Sequence, residues 1–168
     1  IRAILLYKSE VTSDDTVVDI GCGTGGITCE FAQRAKKVIS IDKNPEAINI
    51  TKKNLNKFNL EENVNLICDD GSNFLKNIED MDIGVVGGSG RELEEILELL
   101  DNKLKPNGRI IITAILVDTK VEAVNKLKDL GYNPKFVEVN ISKGSILDRG
   151  IMMTSENPIA IITAKKRG

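Results

Sequence analysis

Three acidic positions and a run of glycines carry the pattern in this chain that could do chemistry. The stretch Val17-Val18-Asp19-Ile20-Gly21-Cys22-Gly23-Thr24-Gly25-Gly26 passes from β-branched residues into a glycine turn. A turn without side chains lets backbone approach a ligand closely, and the N–H groups opening a following helix are free to meet it. Asp42 ends a second apolar run, Val38-Ile39-Ser40-Ile41, and Asp69-Asp70-Gly71 follows a third, Val64-Asn65-Leu66-Ile67-Cys68. A carboxylate has two acceptor oxygens and suits a ribose diol, so Asp42 is the expected ribose partner. Asp70 is expected to accept from an adenine amino group, with the Gly71 N–H on a ring nitrogen. Asp19 is expected to support the loop by accepting from backbone N–H groups.

These residues leave two cofactors open. Gly21, Gly23 and Gly26 satisfy the dinucleotide fingerprint G-x-G-x-x-G. An acid at Asp42 fits NAD as well as S-adenosylmethionine. Asp19 leans away from NAD, because a dinucleotide strand usually stays apolar two residues before its first glycine. A glycine turn, or an acid-acid-glycine turn, also forms with no ligand at all.

Elements must place these loops on one edge. A helix is expected to end near Lys8, with Ile4, Leu5 and Tyr7 inward. A helix over Ile27–Ala35 follows the glycine loop. Asn44 and Pro45 open another, which runs to about Phe58. Strands are expected at Met81–Val86, Arg109–Leu116, Lys135–Ile141 and Pro158–Ala164. Leu93, Ile96, Leu97 and Leu100 repeat at helical spacing, as do Val121, Val124, Leu127 and Leu130 before Gly131. Ser142–Asn157 reads as a glycine-containing connection. The alternation predicts one α/β domain over residues 1–168, a Rossmann-like fold. Its seven-stranded, mostly parallel sheet carries helices on both faces and an antiparallel edge hairpin. In such sheets ligands bind outside the carboxyl ends of the strands, where every candidate above falls.

Composition narrows the function classes. The chain has 168 residues, a formal net charge of −2, three cysteines and no histidine. Ser-His-Asp chemistry is excluded, and a metal site or disulfide framework is not expected. The acidic balance is poor support for nucleic-acid binding. No apolar run approaches the roughly 20 residues of a membrane helix, so no membrane partner is expected and the setting is read as cytoplasmic. Base-amino methylation typically uses an Asn/Asp-Pro-Pro-aromatic run after the fourth strand. Here Gly87-Gly88-Ser89-Gly90 stands in that place, an open floor suited to a bulky substrate.

The form V-V-D-I-G-C-G-T-G resembles the first motif of class I S-adenosylmethionine-dependent methyltransferases. D-I-G-V-V-G-G-S-G, L-K-P-N-G-R-I-I-I-T-A-I-L and L-D-R-G-I-M-M-T-S-E-N-P-I-A together resemble the decarboxylating precorrin-6B C15-methyltransferases of cobalamin synthesis. The likeness is closest to the small archaeal form of the cobalt-dependent pathway and spans nearly the whole chain. It implies methylation of C15 of cobalt-precorrin-6B and loss of carbon dioxide from the C12 acetate, giving cobalt-precorrin-7. It also implies a homotetramer; no protein-bound metal is expected, from the absence of histidine and of any C-x-x-C. Gly21, Cys22, Gly23, Thr24, Gly25, Asp42, Asp70 and Gly71 are the expected residues for S-adenosylmethionine. Gly88, Ser89, Arg91, Lys143 and Arg149 are candidates for the carboxylate-rich substrate, since arginine binds carboxylates with two parallel bonds. No catalytic acid or base is assigned. The alternatives are a tRNA adenine methyltransferase, an NAD-binding module, or a cofactor-binding subunit inert without a partner.

Overall fold

The computed structural model describes residues 1–168 except Ser89 and Arg91. The helices are α1 (Arg2–Ser9), α2 (Gly26–Ala32), α3 (Pro45–Phe58), α4 (Gly71–Leu75), α5 (Leu93–Lys103) and α6 (Val117–Asp129). The strands are β1 (Thr16–Ile20), β2 (Lys37–Asp42), β3 (Val64–Cys68), β4 (Met81–Val86) and β5 (Leu104–Ala114). β6 (Lys135–Val139), β7 (Ser142–Leu147), β8 (Gly150–Ser155) and β9 (Ile159–Lys165) complete them.

Seven strands form one sheet in the order β3-β2-β1-β4-β5-β9-β6. The first five run parallel, and β9 is antiparallel to both β5 and β6. β1, β2 and β4 are buried along nearly their whole length, as a parallel sheet covered by helices requires. Alternation then splits them. Val18, Ile20, Ile39 and Ile41 pack with Leu93, Ile96, Leu97 and Leu100 of α5. Val17, Val38, Ile83 and Ile111 pack on the other face with Leu5, Phe31 and Leu55 of α1, α2 and α3. After β3 the chain crosses back to β4 on the far side of β1, so β1 and β4 flank the crevice where such sheets bind ligands.

Four expectations change. Ser142–Asn157 is not a plain connection: β7 and β8 pair as a separate two-stranded hairpin. Its residues have no core beneath them, so no apolar alternation marks them. Tyr7 does not face inward but is 81% exposed. Val121 is 54% exposed as well; the buried positions of α6 are Lys120, Ala123 and Leu127. The Lys120 stem lies inside while its ammonium reaches Glu138 at 2.7 Å. α4 is an element the sequence reading lacks, a five-residue helix opened by the Asp70 side chain. Among the described residues, no helix is long and apolar enough to cross a membrane.

Candidate functional site

The loop after β1 is fixed almost wholly by backbone bonds. The N–H groups of Gly21 and Cys22 donate to the Ile41 carbonyl at 2.8 and 3.2 Å, and Gly25 donates to Cys22 at 2.9 Å. From α3, Thr51 Oγ1 donates to the Gly23 carbonyl and Asn54 Nδ2 to the Thr24 carbonyl. Gly21 has φ +73°, and a Cβ there would stand 2.5 Å from the Gly88 carbonyl oxygen. Only glycine permits that approach. The same seam is closed by the Gly87 N–H, which donates to Ile20 at 2.9 Å. The loops after β1 and β4 therefore touch backbone to backbone.

Asp42 ends β2 half-buried. Its Oδ2 accepts from the Gly23 N–H and its Oδ1 from the Asn44 N–H, both at 2.9 Å. Two oxygens hold about four acceptor positions, so capacity remains for a ligand hydroxyl. Asp70 caps α4, its Oδ1 accepting from the Ser72 hydroxyl at 2.7 Å and the Ser72 N–H at 2.9 Å. The Ser72 hydroxyl foremost holds this carboxyl below its ordinary range. Both of these bonds fall on the one oxygen. A Cβ on Gly71 would meet Ile20 Cγ2 at 2.7 Å, so the chain turns closely over β1 here.

Asp19 has a different role from the expected one. It accepts from the Thr28 hydroxyl at 2.7 Å, not from backbone, and Ser40 donates to Thr28 at 3.0 Å. Its Oδ1 is buried and has no hydrogen-bond partner among the described residues. Burial pushes its carboxyl up to about 6; the Thr28 bond opposes this and the charge of Asp42 adds to it. Short serine and threonine side chains can satisfy an acid inside a sheet, which the pattern V-V-D-I does not reveal.

A cavity of about 270 Å³ opens at the carboxyl ends of β1 and β2. It brings together Gly21, Asp42, Asp70, Gly71 and Gly88 of the expected residues. Cys22, Gly23, Thr24 and Gly25 stand behind it. The Cys22 thiol lies 3.8 Å from Thr51 Oγ1 and is pushed up to about 12, by burial first and by Asp19 next. That thiol is an inert packing group. Ser89 and Arg91 lie outside the described residues. Lys143 and Arg149 are not in the cavity wall: Lys143 pairs with Glu156 on the hairpin, and Arg149 is exposed at its turn. Lys43, Asp69 and Glu92 do line the cavity and were not anticipated. Asp69 belongs to the Asp69-Asp70-Gly71 run but had no role of its own, and Glu92 carries no motif; only the fold brings them beside Asp42.

The described residues of the wall carry four carboxylates, Asp42, Asp69, Asp70 and Glu92, and one ammonium, Lys43. Such a field favours a cationic ligand. An S-adenosylmethionine sulfonium and ammonium fit it. Among the described residues, no group of three or more acid or cysteine side chains is placed to hold a metal ion.

Comparison with known proteins agrees with this geometry. A relative from Methanobrevibacter smithii, named as a probable cobalt-precorrin-6B C(15)-methyltransferase (decarboxylating), is 75% identical over 99% of this chain and 89% of its own. The crystal structure of precorrin 8w decarboxylase from Methanobacterium thermoautotrophicum superposes with a TM-score of 0.94 at 50% identity, covering 97% of this chain and 88% of that one. A Geobacter metallireducens structure, described as precorrin-6y C5,15-methyltransferase, gives 0.92 at 34% identity, covering 98% and 88%. The precorrin methyltransferase domain pattern matches residues 1–166, and the chain belongs to that family.

Proposed function

We propose that this protein methylates C15 of cobalt-precorrin-6B and removes the C12 acetate carboxyl as carbon dioxide, giving cobalt-precorrin-7 in anaerobic cobalamin synthesis. The 75% identity to the Methanobrevibacter smithii relative over 99% of the chain carries this reading. S-adenosylmethionine, when bound, supplies a methyl group already activated on its sulfonium. The protein's part is placement, and alignment alone can contribute several kcal/mol of an in-line displacement. Gly21 to Gly25 form the floor under the methionine part and the ribose. Asp42 accepts from the ribose diol. Asp70 accepts from the adenine amino group while Gly71 N–H meets a ring nitrogen. Gly88, packed on Gly21, leaves the methyl open toward a large planar substrate.

A chain without histidine suits this chemistry. The electron-rich ring carbon needs no strong protein base, and decarboxylation is driven by electron flow into the conjugated ring. The acidic wall repels the substrate's carboxylates from the cofactor cavity and so keeps them on the outer side of the methyl group.

The working unit in this proposal is a homotetramer. All residues of β7 and β8 are exposed, among them Ile146, Ile151, Met152 and Met153. An isolated two-stranded hairpin is marginal in water, and a bare apolar one gains stability from a neighbouring subunit.

Anaerobic incubation with cobalt-precorrin-6B and S-adenosylmethionine, read by mass spectrometry, tests the function. The expected product has gained a methyl and lost carbon dioxide. A methyl gain alone assigns decarboxylation elsewhere. No mass change, with S-adenosylhomocysteine still binding, overturns the substrate.

A further inference from the structure

A cavity larger than that of the cofactor site lies at the opposite end of the sheet. It encloses about 880 Å³ between the end of α1, the start of β5, the α6–β6 turn and the end of β9. This volume falls in the range of small-molecule sites, roughly 300–1,000 Å³. Six cations line it, Lys8, Arg109, Lys135, Lys165, Lys166 and Arg167, against two carboxylates, Glu10 and Asp101. The whole chain has a formal charge of −2, so this concentration is local.

The cations divide into two sets. Arg109 is nearly buried and committed: its Nε donates to the Ser9 carbonyl at 2.9 Å, and its guanidinium pairs with Asp15 at 2.6 Å. Lys166 is held by the Asp101 backbone carbonyl, and its ammonium lies 3.4 Å from the Asp101 carboxylate, which also accepts from the Tyr132 hydroxyl. Lys165 stands 3.8 Å from Glu10. Both carboxylates of the wall are therefore taken. Lys8, Lys135 and Arg167 have no carboxylate partner among the described residues. They come from three separate segments, α1, β6 and the chain after β9, and Tyr7 and Leu130 add apolar surface to the lining.

We infer that this cavity is a second ligand site, for a small molecule bearing several separated carboxylates on an apolar body. Three single cations spaced around a wide cavity match several single negative charges. Phosphate is the poorer fit. The helices that border the cavity, α1, α5 and α6, bring their C-terminal ends to it, so it offers carbonyl ends rather than the free N–H groups that phosphates use. The inference stands apart from the proposed reaction, because no residue of this cavity belongs to the cofactor site.

Calorimetric titration tests it with benzenehexacarboxylate as probe, in low salt, with inositol hexakisphosphate beside it. One equivalent of the carboxylate should bind the intact protein. Replacing Lys135→Glu and Arg167→Glu together should weaken binding at least about tenfold, as loss of bonds to charged groups does. S-adenosylhomocysteine affinity should stay the same, which also reports an intact fold. The neutral pair Lys135→Gln and Arg167→Gln should give the same ordering. No binding, or equal binding in the variants, overturns the site. Tighter binding of inositol hexakisphosphate overturns the carboxylate assignment.

Discussion

The two ends of the sheet carry opposite fields. At the carboxyl ends, the described residues of the cavity wall present four carboxylates and one ammonium. At the amino ends they present six cations and two carboxylates. A formal charge of −2 averages these away. Net charge therefore describes neither end, and it is the local field that selects a ligand. The ends also differ in what their charges do. Asp42 and Asp70 are oriented by N–H donors from their own loops and keep acceptor capacity for a ligand. Arg109 and Lys166 tie down helix ends, and only the outer cations are free.

If that division is right, damage at the amino end costs stability and damage at the carboxyl end costs cofactor binding. The largest expected effect is Arg109→Met, which leaves Asp15 without its guanidinium. Breaking a pair this buried costs about 3 kcal/mol or more; Asp15 keeps its bonds from Thr12, which places the loss at the low end of that range. Denaturant unfolding measures it, and S-adenosylhomocysteine affinity should not move. A loss of affinity would break the comparison.

Asp19 comes next, through pH. Its carboxyl is raised from 3.8 to about 6, so between these values the folded protein keeps a proton that the unfolded chain has released. Stability from this group is thus full below about pH 4 and is lost as pH rises to about 6. Relative to Asp19→Asn, the wild type should lose about 2–3 kcal/mol across that window and no more above it. Chemical denaturation of both proteins from pH 4 to 7 tests this; parallel curves would remove the buried charge.

Asp42→Ala should weaken S-adenosylhomocysteine binding by about 2 kcal/mol, within the range for a hydrogen bond to a charged group. Calorimetry measures it, and unchanged affinity would take Asp42 off the ribose. The smallest effect is Asp70→Ala. Loss of an N-cap costs about 1 kcal/mol of stability, visible as a lower melting temperature, with weaker cofactor binding beside it. A change in stability alone would leave Asp70 a capping residue only.

The central parallel strands were legible because a strand buried on both faces is largely apolar; Met81–Val86, with Asp82 its one charged residue, is read in full from residue types. The glycine loop was legible for a related reason: few residue types permit a turn that meets backbone as closely as Gly21 meets Gly88. β7 and β8 were not, because exposure on both faces removes the alternation that marks a strand. Tyr7 and Val121 were misplaced because helical spacing gives a face but not what covers it. Asp69 and Glu92 are distant in sequence, and the acidic wall they join exists only once β3 and α5 are brought together. The cationic cavity is likewise assembled from separate segments, and Lys165-Lys166-Arg167 alone reads as solvated surface.

The seam between Gly21 and Gly88 restricts how this scaffold can diversify. It is made of backbone on both sides, so no side chain at the contact is available for substitution. Cofactor use is then shielded from drift, because a change at Gly21 displaces the loop after β4 together with its own. New substrate preferences have to be built from positions that bear side chains and touch nothing essential. Ile115 and Leu116 are exposed and meet that condition. The molecule thereby separates a part that must stay the same from a part that is free to vary.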